Sequence, residues 1–365
     1  MRSILADDKS HRLPSPTLPF PPVTCRTCFS SLLPLSPLTA TIHTSFLCQA
    51  QGMLCAAGKS RILLVVLCLA AAGLLCKSKW NLPDLYSQEL RECNCPKCLT
   101  DGENDFKAQM DASPKPFLSI PSPTSEDDFN WWKNLQLEQR PFRFFNETVD
   151  KLLAIFPSSP PLERRSPDRC RTCAVVGNSG NLKGSRYGPL IDQHSIVIRM
   201  NRGHTKGYES DVGTKTTHHV MYPESAIHLD NSTRLVFFPF KINDLLWLLK
   251  NFAPRENGQE DTKRIANKDL VMIINPGFMK YAHEMWLKKR GRYPSTGFMT
   301  VVLSLQICDE LSIFGFGADR DGNWSHYFEI LRNKKLRTGP HPGAQEYDVI
   351  RELNQKQIVR FFQGL

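Results

Sequence analysis

The sequence predicts an α/β fold with a largely parallel sheet, on three observations. From about Phe129 onward, short apolar segments rich in β-branched residues alternate with helix-compatible stretches. One such segment, CAVVG, runs directly into a Gly/Asn/Ser turn, at the strand exit where open α/β sheets collect their ligands. Apolar residues make up 41% of the 365 positions, enough for a core on both faces of such a sheet.

The strands are expected, in order, at Cys173–Gly177, Ser195–Met200, Thr217–Tyr222, Arg234–Phe238, Leu270–Ile274, Leu311–Phe316 and Val359–Phe362. Helices are expected at Thr148–Phe156, Asn243–Asn251 and Gly277–Arg290, with another from about Thr296 to Ile307 and one after the Gly/Asn/Ser turn. No internal repeat is apparent.

The front of the chain has a different composition. Residues 1–52 are rich in Pro, Ser and Thr with little periodicity and are expected to be disordered. Met53 stands just ahead of an apolar run, so 1–52 is expected to be an extension of the native protein, which would start at 53 with a short basic tail over 53–61. The run itself, 62–76, is flanked by Lys59, Arg61, Lys77 and Lys79 and falls short of the roughly 20 residues of a comfortable span. A signal anchor, a cleaved signal peptide and a buried helix all remain open, with the flanking charges against the last. Residues 77–128 are polar and punctuated by proline, and read as a stem holding a domain over 129–365.

Net charge is +10, but the cations are scattered rather than gathered into a tract, so a nucleic-acid role is not expected. Six cysteines follow the apolar run: Cys93, Cys95, Cys98, Cys170, Cys173 and Cys308. An even set beyond a membrane or signal segment suggests disulfides in an oxidising compartment. The alternative is a four-thiolate zinc site from Cys95, Cys98, Cys170 and Cys173, at a separation wider than zinc ribbons use.

Chemistry concentrates in CAVVGNSGNL, Cys173–Leu182, where small side chains allow backbone N–H groups to approach a ligand. With its surroundings this segment resembles the large sialylmotif of animal sialyltransferases, continuing through RMN (Arg199–Asn201), DVGTKTTHH (Asp211–His219) and YPES (Tyr222–Ser225). NPGFMKYAHEMW, GRYPSTGF and ICDELSIFGFGAD resemble the small motif and its flanks, and GNWSHYFE (Gly322–Glu329) the third motif. His341 and Glu346 reproduce the H-x4-E spacing of the very short motif. The wording is nearest to β-galactoside α-2,3-sialyltransferases of types 1 and 2, which act on Gal-β-1,3-GalNAc.

The resemblance implies a single Rossmann-like domain of the GT-A-variant kind behind a type II anchor, with its catalytic part in the Golgi lumen. It implies transfer from CMP-sialic acid to O3 of galactose on glycoproteins or glycolipids, by an inverting displacement that needs no metal or other cofactor. Asn178, Ser179, Asn201, Tyr222, Ser295, Thr296, Gly297 and Gly317 would hold the donor. His341 would be the general base and His326 would serve the leaving phosphate. Of His218 and His219, in a strand segment, at least one is expected to be structural. Gln136, Phe240 and Tyr293 are the acceptor candidates. Cys173 and Cys308 match a disulfide joining the large and small motifs, leaving Cys93, Cys95 and Cys98 to pair among themselves and with Cys170.

Between Phe252 and Lys268 the chain is shorter than its relatives and lacks the acceptor-side tyrosine they carry there, which puts acceptor preference in question. Asp319-Arg320-Asp321 has the D-x-D form of metal-using glycosyltransferases and is read as a coincidence in a loop. Asn146 and Asn231 lie in sequons suited to a luminal domain, whereas the sequon at Asn323, beside His326, is expected to stay unused. A metal-using glycosyltransferase with another donor and an inactive sialylmotif lectin are the competing readings.

Overall fold

The structure, a computed structural model, describes residue 69 and residues 93–156, 166–252, 264–330 and 340–365. The expected extension and tail over 1–61, the 62–76 run apart from Leu69, and most of the divergent Phe252–Lys268 stretch lie outside them. Among the described residues no helix is long and apolar enough to cross a membrane.

Seven strands form one sheet: β1 (Thr172–Val176), β2 (Ile196–Met200), β3 (His218–Met221), β4 (Arg234–Phe237), β5 (Val271–Ile273), β6 (Glu310–Phe314) and β7 (Arg360–Phe362). Their order is β5-β4-β3-β2-β1-β6-β7 and every pairing is parallel. All seven expected strands are present, each within a residue or two of its expected bounds. Strands buried on both faces read as continuous apolar runs, which is why the sequence displays them. From β1 the chain steps to one edge, then returns to place β6 on the other side of β1. That reversal opens a crevice at the carboxyl ends of β1 and β6.

The helices flank this sheet: α1 (Asn104–Asp111), α2 (Glu126–Lys133), α3 (Phe142–Ile155), α4 (Gly188–Asp192), α5 (Glu209–Val212), α6 (Ile242–Phe252), α7 (Pro276–Tyr281), α8 (Thr296–Ile307) and α9 (Gly343–Gln355). Helix α8 is apolar all round and buried along nearly its whole length, packed against β1, β3 and β6. Helix α3 starts six residues before the expected Thr148, with Pro141 at its N-cap.

Two expected helices differ. The helix expected over Gly277–Arg290 is α7 followed by a π-turn, Ala282–Trp286, and ends there because Lys288 and Lys289 take left-handed φ of 52° and 61°. After the Gly/Asn/Ser turn comes only a 3₁₀ turn, Gly180–Leu182; α4 begins six residues later, past left-handed Gly184 and Arg186.

The expected stem is also corrected, because residues 93–128 pack onto the sheet. Leu118 N donates to Ile273 O at 2.8 Å, Asn275 N to Pro116 O at 2.8 Å and Leu99 N to Asp309 O at 2.8 Å. Leu99, Phe106, Phe117 and Leu118 are buried in the main core. A proline-punctuated segment can make these edge contacts without strand or helix periodicity, so its composition resembles that of a linker.

Three disulfides fix the amino end of the sheet: Cys93–Cys98, Cys95–Cys170 and Cys173–Cys308. All four cysteines of the zinc alternative are consumed in them. Beside Cys173–Cys308, the buried Arg171 guanidinium grips Asp309 through both carboxylate oxygens, at 2.7 and 3.0 Å. Strands β1 and β6 thus start from a covalent and an ionic clamp.

A second clamp lies in the turn between α2 and α3. The Glu138 carboxylate accepts from the Arg140 guanidinium at 2.6 and 2.7 Å and from the backbone N–H of Gln139, Arg140 and Ile242. The Arg140 bond holds its pKa down, from an ordinary 4.5 to about 2.

Two predictions follow from these clamps. Replacing both Cys173 and Cys308 by alanine frees a 135-residue separation in the unfolded chain, and is expected to cost about 3 kcal/mol and about 8 °C of Tm by calorimetry. Because the folded-state pKa of Glu138 is depressed, its contribution is complete above pH 4.5 and is lost as pH falls toward about 2. Urea midpoints measured across that window should fall steeply in the wild type and less in Glu138→Gln, which costs about 2 kcal/mol at neutral pH.

Candidate active site

The site is built where β1 and β6 leave the sheet. Gly177 must be glycine here, since a Cβ would lie 2.3 Å from Gly315 O. That closeness lets Ser179 N donate to Gly315 O at 3.0 Å and turns the chain across the end of β6. The Ser179 hydroxyl donates to Gly317 O at 2.7 Å. The third motif is laid beside this turn: Gly180 N donates to Ser325 O and Tyr327 N to Asn178 O, with Ser179 and His326 forming an isolated bridge.

At the end of β2, Asn201 takes a left-handed φ of 54°, which asparagine tolerates better than most residues. His219 on β3 fixes this turn through a 2.7 Å bond between Nε2 and Asn201 O. Burial holds the pKa of both His218 and His219 down, His218 to about 4, so both are neutral scaffolding. Asn178 Nδ2 donates to Met200 O at 3.1 Å, tying the β1 turn to β2. The Asn201 Oδ1 atom is buried and has no hydrogen-bond partner among the described residues.

These turns enclose a cavity of about 340 Å³. All eight donor candidates line it, from Asn178, Ser179, Asn201 and Tyr222 to Ser295, Thr296, Gly297 and Gly317, and so do His326 and His341. Not every lining group has a hydrogen left to donate. The Ser295 hydroxyl donates to Glu346 at 2.6 Å and accepts from Phe298 N, capping α8. Its contribution is to place the start of α8, and the Ser179 hydroxyl, spent on Gly317 O, likewise shapes the wall. Left-handed Gly317, with φ of 91°, leaves room for Tyr347, which a Cβ would meet at 2.5 Å.

A second cavity of about 260 Å³ is lined by the acceptor candidates Gln136, Phe240 and Tyr293, together with Tyr222, Thr296 and His341. Gln136 Nε2 donates to the Tyr293 hydroxyl at 3.2 Å. The aromatic wall runs Tyr222–Phe240–Tyr293–His341, with ring centroids 5.5, 5.9 and 4.9 Å apart. Tyr222, Thr296 and His341 border both cavities, so His341 stands at their junction.

The chemistry of His341 follows from its surroundings. Burial lowers its pKa below the ordinary 6.5, against a smaller opposite effect from its bond to Tyr293 O. That bond, 3.2 Å from Nδ1 to a carbonyl, puts the ring proton on Nδ1 and the lone pair on Nε2. A neutral imidazole in this tautomer is set to accept a proton. His326 differs, being half-exposed, with Nδ1 2.9 Å from the Glu329 carboxylate.

Sequence reasoning left some site members out. Glu346 was visible only as half of a spacing; it is buried, accepts from both the N–H and the hydroxyl of Ser295 at 2.6 Å, and has its pKa raised by burial. Gly315, Phe316, Trp324 and Gly343 also line the first cavity, and no motif chemistry singled them out. The Asp319 carboxylate of the D-x-D segment is occupied by Asn323 Nδ2 and by the N–H groups of Asp321 and Asn323. Asn323 itself is 2% exposed, whereas Asn146 and Asn231 are exposed.

The family model for glycosyltransferase family 29 (sialyltransferase) matches residues 119–358. A chicken CMP-N-acetylneuraminate-beta-galactosamide-alpha-2,3-sialyltransferase 1 is 41% identical over 75% of this chain and 83% of its own length. The human protein of the same name is 40% identical over 75% and 83%, and the mouse type 2 protein 38% identical over 75% and 81%. The crystal structure of a mammalian sialyltransferase in complex with Gal-beta-1-3GalNAc-ortho-nitrophenol aligns with a TM-score of 0.64 at 39% identity, covering 75% of this chain and all of that one. With two-thirds of its length matched by the family model and this fold around one crevice, the chain belongs to glycosyltransferase family 29 and is a sialyltransferase.

Proposed function

We propose that the enzyme moves sialic acid from CMP-sialic acid to O3 of galactose in Gal-β-1,3-GalNAc, without a metal, and that His341 is the base. The observation carrying this reading is the position of His341, bordering both the cavity lined by the donor candidates and the cavity lined by the acceptor candidates. The acceptor O3–H donates to His341 Nε2 while the oxygen attacks the anomeric carbon from the side opposite CMP. The new C–O bond forms as the bond to the phosphate oxygen breaks, the configuration inverts, and CMP departs with the bonding electrons. The proton remains on His341.

His326 lines the donor cavity, where a hydrogen bond to the departing phosphate offsets its growing charge. The Asn201 Oδ1 atom, unpartnered among the described residues, is an acceptor for a donor N–H or hydroxyl. The hydrogen bonds that fill the Asp319 carboxylate support reading the D-x-D segment as a loop-forming device. Three disulfides and exposed sequon asparagines at 146 and 231 suit an oxidising, glycosylating compartment, which supports a luminal Golgi location.

The test is sialyl transfer to Gal-β-1,3-GalNAc and Gal-β-1,4-GlcNAc, with and without EDTA. EDTA-insensitive transfer to O3 of the first acceptor is expected, and dependence on a divalent ion would sink the metal-free mechanism. His341→Ala should lower kcat by about 10³-fold with little change in the KM for CMP-sialic acid. Because the base must be neutral and its pKa is lowered, the acid limb of kcat/KM should fall below pH 6.5 and vanish in His341→Ala. A limb unchanged in that variant would assign the base elsewhere.

A further inference from the structure

We propose that the basic turn Lys288–Arg292, together with Leu137, forms a subsite outside the sugar pocket for an acidic stretch of the polypeptide that carries the acceptor glycan. The proposal rests on the acceptor reading above. Lys288, Lys289, Arg290 and Arg292 put four cations into five consecutive positions, all exposed. Among the described residues only Lys289 of these has a carboxylate partner, Glu284 at 3.5 Å, and it remains 70% exposed there.

The turn is a built feature. Lys288, Lys289 and Gly291 all take left-handed φ. It is held by Lys289 N to His283 O at 3.0 Å, Arg290 N to Leu287 O at 3.0 Å, and His283 Nε2 against Gly291 O at 3.2 Å. None of these bonds uses a cationic side chain, so the fold does not require the charges.

The position of the turn is fixed by its neighbours. Arg292 directly precedes Tyr293 in the wall of the acceptor cavity, and its N–H donates to Pro340 O, next to His341. In the same cavity lining, Gln136 bonds the Tyr293 hydroxyl through its amide, and Leu137 directly follows it. Leu137 is 70% exposed and holds a left-handed φ of 55°, uncommon for leucine, because Glu138 clamps the following turn. An apolar knob and a cationic turn therefore adjoin the two residues that meet at the acceptor cavity.

A cavity of about 260 Å³ has room for little more than the acceptor sugars, so whatever carries them emerges beside this rim. Four cations suit a chain bearing carboxylates. A membrane surface fits less well, because insertion needs several apolar side chains and this rim exposes Leu137 and, at 37%, Met285.

The experiment compares Gal-β-1,3-GalNAc-threonine glycopeptides flanked by Asp and Glu with ones flanked by Gln and Ser, and with the free disaccharide. The full-length wild type should use the acidic glycopeptide with about ten-fold higher kcat/KM at low salt, an advantage that high salt removes. The variant K288N/K289N/R290Q keeps residues that tolerate the left-handed backbone. It should lose the advantage while sialylating the free disaccharide as before. Equal kcat/KM for the two glycopeptides in the wild type at low salt, with good transfer to the disaccharide, overturns the subsite alone and needs no variant. No transfer to the disaccharide overturns the acceptor reading and the subsite with it. Equal glycopeptide rates, with faster transfer to a glycolipid in anionic than in neutral vesicles, overturn the peptide subsite in favour of a membrane surface.

Discussion

The close backbone approach of β1 and β6 at their carboxyl ends is the constraint on which the site depends. Gly177 N donates to Phe314 O and Ser179 N to Gly315 O, across a gap with no room for a Cβ at position 177. Gly315 is equally committed: its φ is 71° and a Cβ there would strike Leu182 at 2.4 Å. With both strands pinned at their amino ends by Cys173–Cys308 and Arg171–Asp309, their exits cannot drift apart. The β1 turn then offers its edge to the third motif, and His326 comes to the larger cavity by backbone pairing rather than by packing. Four motifs far apart in sequence meet because these two strands do.

How much of this the sequence displayed depended on the physics of each part. The seven strands were legible because a parallel sheet covered on both faces leaves β-branched apolar runs. Gathering the eight donor candidates around one cavity needed the resemblance, since nothing in the local pattern of Tyr222 or Ser295 says that they meet. Helix α9 went unread because it opens with His341-Pro-Gly and carries a mostly polar surface. The π-turn after α7 was hidden because its side chains suit an α-helix; the left-handed lysines that end it were not visible as such. Residues 93–128 looked like linker because, apart from the short α1, they attach through disulfides, edge hydrogen bonds and a few scattered buried side chains, none of which has a periodicity.

The buried histidines show how one residue type is divided between scaffold and chemistry. His218 and His219 lie within β3, where burial keeps them neutral and backbone or hydroxyl partners use their ring nitrogens. His341 is also kept neutral by burial, but it lines two cavities, so the same desolvation that silences a core histidine leaves this one able to accept a proton from a ligand. Environment sets the protonation state in all three, and access to a cavity sets the role.

Glu346 ties the segment that carries His341 to the start of α8. Its buried carboxylate takes two 2.6 Å hydrogen bonds from Ser295, the residue that caps α8. Burial raises the pKa of Glu346 and the two Ser295 bonds oppose that rise, so the group is held between two demands. Its value lies in position: Glu346 is in the first turn of α9, five residues after His341, and Ser295 is two residues after Tyr293, whose carbonyl sets the His341 tautomer. The two segments of chain entering the site are therefore tied at two points, one through the imidazole itself and one five residues beyond it. The mechanism proposed above needs base, acceptor oxygen and anomeric carbon in fixed register, and a misplacement of about 1 Å costs on the order of 10²-fold in rate. A buried, doubly bonded carboxylate is a stiff way to hold that register, and the H-x4-E spacing is the length of chain it takes to bring it there.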